Sequence, residues 1–106
     1  MKTVQKINDN KEETMELENT LDLMLSPDYK NRLKAEYWQT KARYEKLKRS
    51  NTEWEAYRLT NGMQAVAAES KTPMEVLQQQ ERVMGEYLHL LELRAVLEGV
   101  ELEEGE

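Results

Sequence analysis

The residues best suited to chemistry in this chain are Tyr87 and Arg94, seven positions apart and so two turns along one row of a helix. Tyr37, Trp38 and Tyr44 can add aromatic stacking surfaces, and Lys41, Arg43 and Lys48 positive charge. Aromatic faces with a guanidinium suit a nucleotide, because rings stack on bases while the planar fork takes a phosphate. Tyr87, Arg94, Tyr44 and Lys41 are therefore the candidate ligand-binding residues. The same residue types also anchor protein–protein contacts, so an interface is the competing reading of Tyr87 and Arg94. Other chemistries find little material. The chain has no cysteine and a single histidine, His89, which argues against a thiolate metal site, a histidine cluster or a Ser-His-Asp triad. Four glycines form no phosphate loop, and no carboxylate pair stands out among 21 acids. The expectation is a binding protein without catalytic residues, metal or cofactor.

These residues need rigid supports, and two long helices are legible. The first begins around Ser26-Pro27-Asp28, with Ser26 a candidate N-cap and Pro27 at the first helical position. Its stripe is Tyr29, Leu33, Tyr37, Thr40, Tyr44, Leu47, Asn51 and Trp54, in steps of 4, 4, 3, 4, 3, 4 and 3. That is a heptad-like seam with aromatic residues in place of leucines, and Asn51 within it is expected to fix register. Thr60-Asn61-Gly62 should end the helix near Leu59. The second runs from Pro73 to about Glu98. Thr72 and Glu75 form a candidate capping box, and Gly99 is a candidate left-handed C-cap. Along it Val76, Val83, Leu90 and Leu97 repeat every seven residues beside Leu77, Met84 and Leu91. Arg94, bordering this face, needs an acid such as Glu36 or Glu45, an acid from a second subunit, or an anionic ligand. Gly85, which costs roughly 1 kcal/mol relative to alanine in mid-helix, predicts close approach of another backbone.

The fold class is thus all-α: a long antiparallel helical hairpin with a short N-terminal helix, Thr14 to Leu25, packed on it. Residues 63–71 are expected to form one or two helical turns or an ordered loop. Residues 1–13 are read as a disordered N-terminus, 14–99 as a single domain and 100–106 as an acidic tail. The apolar face of the second helix is wider than one partner helix needs, so a homo-oligomer is expected.

Charge is unevenly divided. Residues 26–49 hold 8 basic and 3 acidic side chains, a net +5, whereas residues 73–106 hold 2 and 9, a net −7, within a chain of net −6. A basic helix lying against an acidic one accounts for this, with a phosphate-bearing ligand on Lys30 to Arg49 as the sharper alternative. The overall acidity and the lack of a helix-turn-helix pattern speak against duplex DNA. No signal-peptide pattern opens the sequence, and no run approaches a membrane span, so the expected location is the cytoplasm.

Two blocks, DYKNRLKAEYWQTKARYEKLK (Asp28 to Lys48) and LQQQERVMGEYLHLLELRAVLEGVEL (Leu77 to Leu102), resemble a family of small proteins encoded by phages and prophages of gut bacteria, related to a small crAss-like phage protein. The shared marks are the aromatic-basic first helix and Met84-Gly85-x-Tyr87…Leu91-x-x-Arg94, and the blocks cover 47 of 106 residues. That family is similar to the helical-hairpin domain of anti-CBASS and anti-Thoeris sponge proteins. The resemblance implies a homo-oligomeric phage sponge that sequesters cyclic nucleotide immune signals. The chain departs from the pattern in its additional Met1 to Leu25 segment and its longer Ser50 to Lys71 connection. Two other functions fit an acidic helical protein. One is an anti-CRISPR-like inhibitor whose tail, Glu98 to Glu106, docks on a host defence nuclease. The other is a virion structural or assembly protein.

Overall fold

The computed structural model describes residues 17–102, and every regular element among them is a helix. Residues 17–24 belong to α1, followed by α2 (Tyr29–Asn61), α3 (Met63–Glu69) and α4 (Met74–Glu98). The expected disordered segment 1–13, the start of the expected first helix at Thr14 and most of the acidic tail lie outside the described residues.

Local chemistry sets the helix ends. Asp28, not Ser26, caps α2: its carboxylate accepts from the Lys30 backbone N–H at 3.0 Å. The Ser26 hydroxyl instead accepts from the Asp28 N–H at 3.0 Å and the Asn31 side-chain amide at 3.1 Å, holding the approach to the helix. This moves the start two residues beyond Pro27. The Thr60-Asn61-Gly62 signal does stop α2. Gly62 has φ +93°, a conformation without steric penalty only for glycine, and its N–H bonds the Arg58 carbonyl at 2.7 Å. The connection is helical, and α3 folds back on α2 through buried Val66 and a Tyr57 hydroxyl that donates to Glu69 at 3.0 Å.

At the start of α4 the Thr72–Glu75 capping box does not form. The residue before the helix is Pro73, no side chain caps it, and the Thr72 carbonyl is held by the Ser70 hydroxyl at 2.6 Å. The far end matches its signal. Gly99 adopts φ +70°, ψ +33°, and the Val100 N–H reaches back to the Ala95 carbonyl at 2.8 Å, a Schellman closure with Val100 buried.

Three residues spaced seven apart on α2 set the antiparallel register. Tyr37 bonds Glu92, Tyr44 lies against Gly85, and Asn51 bonds the Leu77 carbonyl at 3.1 Å and Glu81 at 2.9 Å. Asn51 is buried with its amide nitrogen doubly used, as its register-fixing place in the stripe implied. The main core gathers Leu33 and Tyr37 from α2 with Leu88, Leu91 and Ala95 from α4, and Val100 beyond it. Trp38 and Leu102 pack against this cluster, and the Trp38 indole donates to the Leu102 carbonyl at 2.7 Å. A second face of α2 buries Ala35 and Ala42, and Gln39 between them donates to buried Thr20 of α1 at 2.9 Å.

Tyr37 links this core to pH. Its hydroxyl donates to Glu92 at 2.9 Å, and desolvation followed by that carboxylate pushes its pKa up to about 12. A tyrosine in the unfolded chain titrates near 10. The raised value therefore contributes stability that is full below pH 10 and lost as pH rises towards 12. Tyr37→Phe should flatten that alkaline decline, measured as urea unfolding midpoints at pH 9 and pH 11.5.

A candidate ligand-binding cleft beside Tyr44

Among the described residues, only one of the two apolar rows on α4 is covered. Leu88, Leu91 and Ala95 are buried against α2, with Leu77 and Met84 half-buried, whereas Val76, Val83, Leu90 and Leu97 are exposed. Position around the helix, at about 100° per residue, then decides which side chains share a site.

Gly85 marks one flank. A Cβ there would stand 3.3 Å from Tyr44 Cε1 and 3.4 Å from its hydroxyl oxygen, so the ring of Tyr44 lies directly on the α4 backbone. The close approach expected at Gly85 is made by this ring, not by a second backbone. Beside it opens a shallow cleft of about 880 Å³. Its α4 wall is the row Gln78, Arg82, Gly85 and His89, flanked by Glu81, Glu86 and Leu90, and its α2 wall is Tyr44. Lys48 places its ammonium 5.9 Å from the Tyr44 ring centroid, within cation–π range.

The polar groups of the cleft differ in how far they are committed. Glu81 accepts from Asn51. Arg82 and His89 make no hydrogen bond or ion pair among the described residues. They lie two turns apart, about 10 Å along the axis, with Gly85 between them. A bare guanidinium, an imidazole and an aromatic face around one hollow can hold a flat ring and phosphate oxygens together.

The four residues singled out in the sequence do not converge. Tyr44 forms the cleft wall. Lys41 lies one turn earlier on α2, ion-paired with Glu45 at 2.9 Å. Tyr87, two residues from Gly85, is turned about 200° away, on the opposite flank. Arg94 is on that flank too. Its partner is neither Glu36 nor Glu45 but Glu98 on its own helix, with guanidinium nitrogens 3.0 and 3.4 Å from the carboxylate oxygens. The hydrogen bond to Glu98 is the main cause that raises the Arg94 pKa, and Arg94 correspondingly lowers that of Glu98. Arg82 and His89 were missed in the sequence because each alone reads as a solvent-facing helix residue. Gly85, one turn from both, was the signal that could have located them.

Among the described residues no three His, Cys, Asp or Glu side chains could jointly hold a metal ion, and no helix is long and apolar enough to cross a membrane. Residues 27–97, which include α2, α3, almost all of α4 and the whole cleft, match the family described as Sequestin. No curated protein and no solved structure matches the chain.

Proposed function

Because the chain belongs to the Sequestin family, whose name speaks of sequestration, we propose that it acts by binding and withholding a small ligand without transforming it. The ligand class is a cyclic nucleotide signal made by a bacterial immune system. The setting is phage counter-defence in the host cytoplasm. The observation that carries the ligand class is Arg82 and His89 astride Gly85, uncommitted among the described residues, with the Tyr44 ring against the same turn.

A base stacked on Tyr44 gains about 1–3 kcal/mol, the range for base–aromatic stacking. A phosphate forked by Arg82 adds a charge-assisted contact, and His89 offers a second donor one turn beyond Gly85. The chain's net charge of −6 opposes an anion at long range, so binding must come from these short contacts, and added salt screens the opposing field.

A thermal-shift and calorimetric panel of cyclic di- and trinucleotides tests this. A ligand held at 100 times its Kd should stabilise the fold by about 2.7 kcal/mol. The nucleotide released on heating should be chemically unchanged, since the proposal is storage and not turnover. A panel with no response, or recovery of a cleaved nucleotide, removes the proposal.

A further inference from the structure

The junction between α2 and α3 carries a bond that can rearrange without an enzyme. Asn61 is the last residue of α2 and Gly62 follows it, both exposed to water. Of the six asparagines in the chain, only Asn61 is followed by glycine. An asparagine carboxamide is open to attack by the backbone nitrogen of the next residue. A side chain on that residue hinders the approach, and glycine has none. We propose that Asn61 is a site of spontaneous deamidation, and that the docking of α3 sets its rate.

The Gly62 nitrogen bonds to Cγ of Asn61, the Cγ–Nδ2 bond breaks, and the nitrogen's proton leaves with the side-chain amide as ammonia. Water then opens the five-membered imide at either carbonyl, giving aspartate or isoaspartate. In the folded chain both reacting groups are occupied. The Gly62 N–H donates to the Arg58 carbonyl at 2.7 Å, and the Asn61 amide nitrogen donates to the Tyr57 carbonyl at 3.2 Å. Ring closure also needs the Gly62 nitrogen turned towards the Asn61 side chain, which a helical ψ does not give. The last turn of α2 must therefore open first, as a local event. α3 resists that opening. The Val66 N–H bonds the Gly62 carbonyl at 3.3 Å, the Val66 side chain is buried, and the Tyr57 hydroxyl ties Glu69 to α2 at 3.0 Å. Either product places a carboxylate at the C-terminal end of α2, where the helix dipole disfavours negative charge. Isoaspartate also adds a carbon to the backbone, which moves the Gly62 N–H out of register with Arg58. Each opening that reacts thus leaves α3 more weakly held, and refolding does not reverse it. Asn61 lies 17 residues beyond Tyr44 on α2, about 26 Å along the axis, so the cleft is spared.

Incubation of the full chain in mildly alkaline buffer, followed by mass spectrometry of the tryptic peptide 59–71, tests this. The same chain in guanidinium chloride supplies the unfolded rate. Asn61 should deamidate in both states, with isoaspartate among the products. The native chain should react about tenfold more slowly, a factor that corresponds to roughly 1.4 kcal/mol of local opening. Tyr57→Phe, which removes the tie to Glu69, should bring the native rate closer to the unfolded one with circular dichroism unchanged. Asn61→Asp should speed hydrogen exchange at the Val66 and Ser70 amides of the α3 region and leave that of Leu91, in the hairpin core, unaltered. Asn61 intact in either state, another asparagine that reacts first, a native rate equal to the unfolded one, or a Tyr57→Phe rate equal to that of the wild type would each overturn the proposal.

Discussion

Leu91→Ala should be the most damaging single truncation in the chain, and Leu90→Ala, one position away, nearly silent in a monomer. Leu91 is 2% exposed and packs in the cluster with Leu33, Tyr37 and Leu88, so its removal forfeits both transfer energy and packing. Leucine-to-alanine changes at such sites cost about 2–5 kcal/mol. Against a total stability of about 5–15 kcal/mol for an ordinary domain, that is a large share. Leu90 is 55% exposed, and surface substitutions usually stay within about 0.5 kcal/mol. Urea unfolding of both variants, repeated at several protein concentrations so that any self-association is seen, makes the comparison clean. Equal losses at the two positions would mean that α4 is rotated from the orientation described.

The second large effect concerns ligand capture. Arg82→Ala should weaken nucleotide binding by roughly 10- to 100-fold, the scale of losing a charge-assisted hydrogen bond of about 1.5–3 kcal/mol. Its effect on unfolding should be small, because Arg82 has no partner among the described residues to strand. Arg82→Lys should recover only part of the loss, since lysine keeps the charge and lacks the fork. Arg94→Ala should leave binding near its original value, as its guanidinium is occupied by Glu98. Titration calorimetry of the three variants decides the matter. If Arg94→Ala abolishes binding and Arg82→Ala does not, the ligand sits on the far flank with Tyr87, and the cleft beside Tyr44 is not the site.

The spacing of Leu33, Tyr37, Tyr44 and Asn51 was sufficient to place one face of α2, since no competing row of comparable polarity exists on that helix. On α4 the pattern was degenerate. The row Val76, Val83, Leu90 and Leu97 is as apolar and as periodic as the buried one, which contains Glu81 and Ala95. Periodicity alone cannot tell which of two such rows meets α2; the choice rests on what α2 brings, above all Asn51, which requires an acceptor at Glu81. For the same reason Arg94 looked like a residue in want of a partner, when its partner was one turn along its own helix. Caps were misread because each helix starts later than its signal. α4 begins at Met74 with Pro73 in the capping position, which leaves Thr72 one residue too early, and Asp28, not Ser26, reaches the first free N–H groups of α2. The cleft was the least legible feature, because it is created by a ring from one helix crossing a glycine on the other.

The bond from the Trp38 indole to the Leu102 carbonyl gives the molecule a built-in optical sensor. The chain has two tryptophans, Trp38 and Trp54, and only the first is fastened to the segment beyond α4. In a Trp54→Phe protein all indole emission arises beside that strap. Its colour then reports whether the last turn is seated on α2 or lifted into water. Detachment of the C-terminal strap could thus be timed by fluorescence apart from the melting of the hairpin, with no dye attached and no residue of the strap altered.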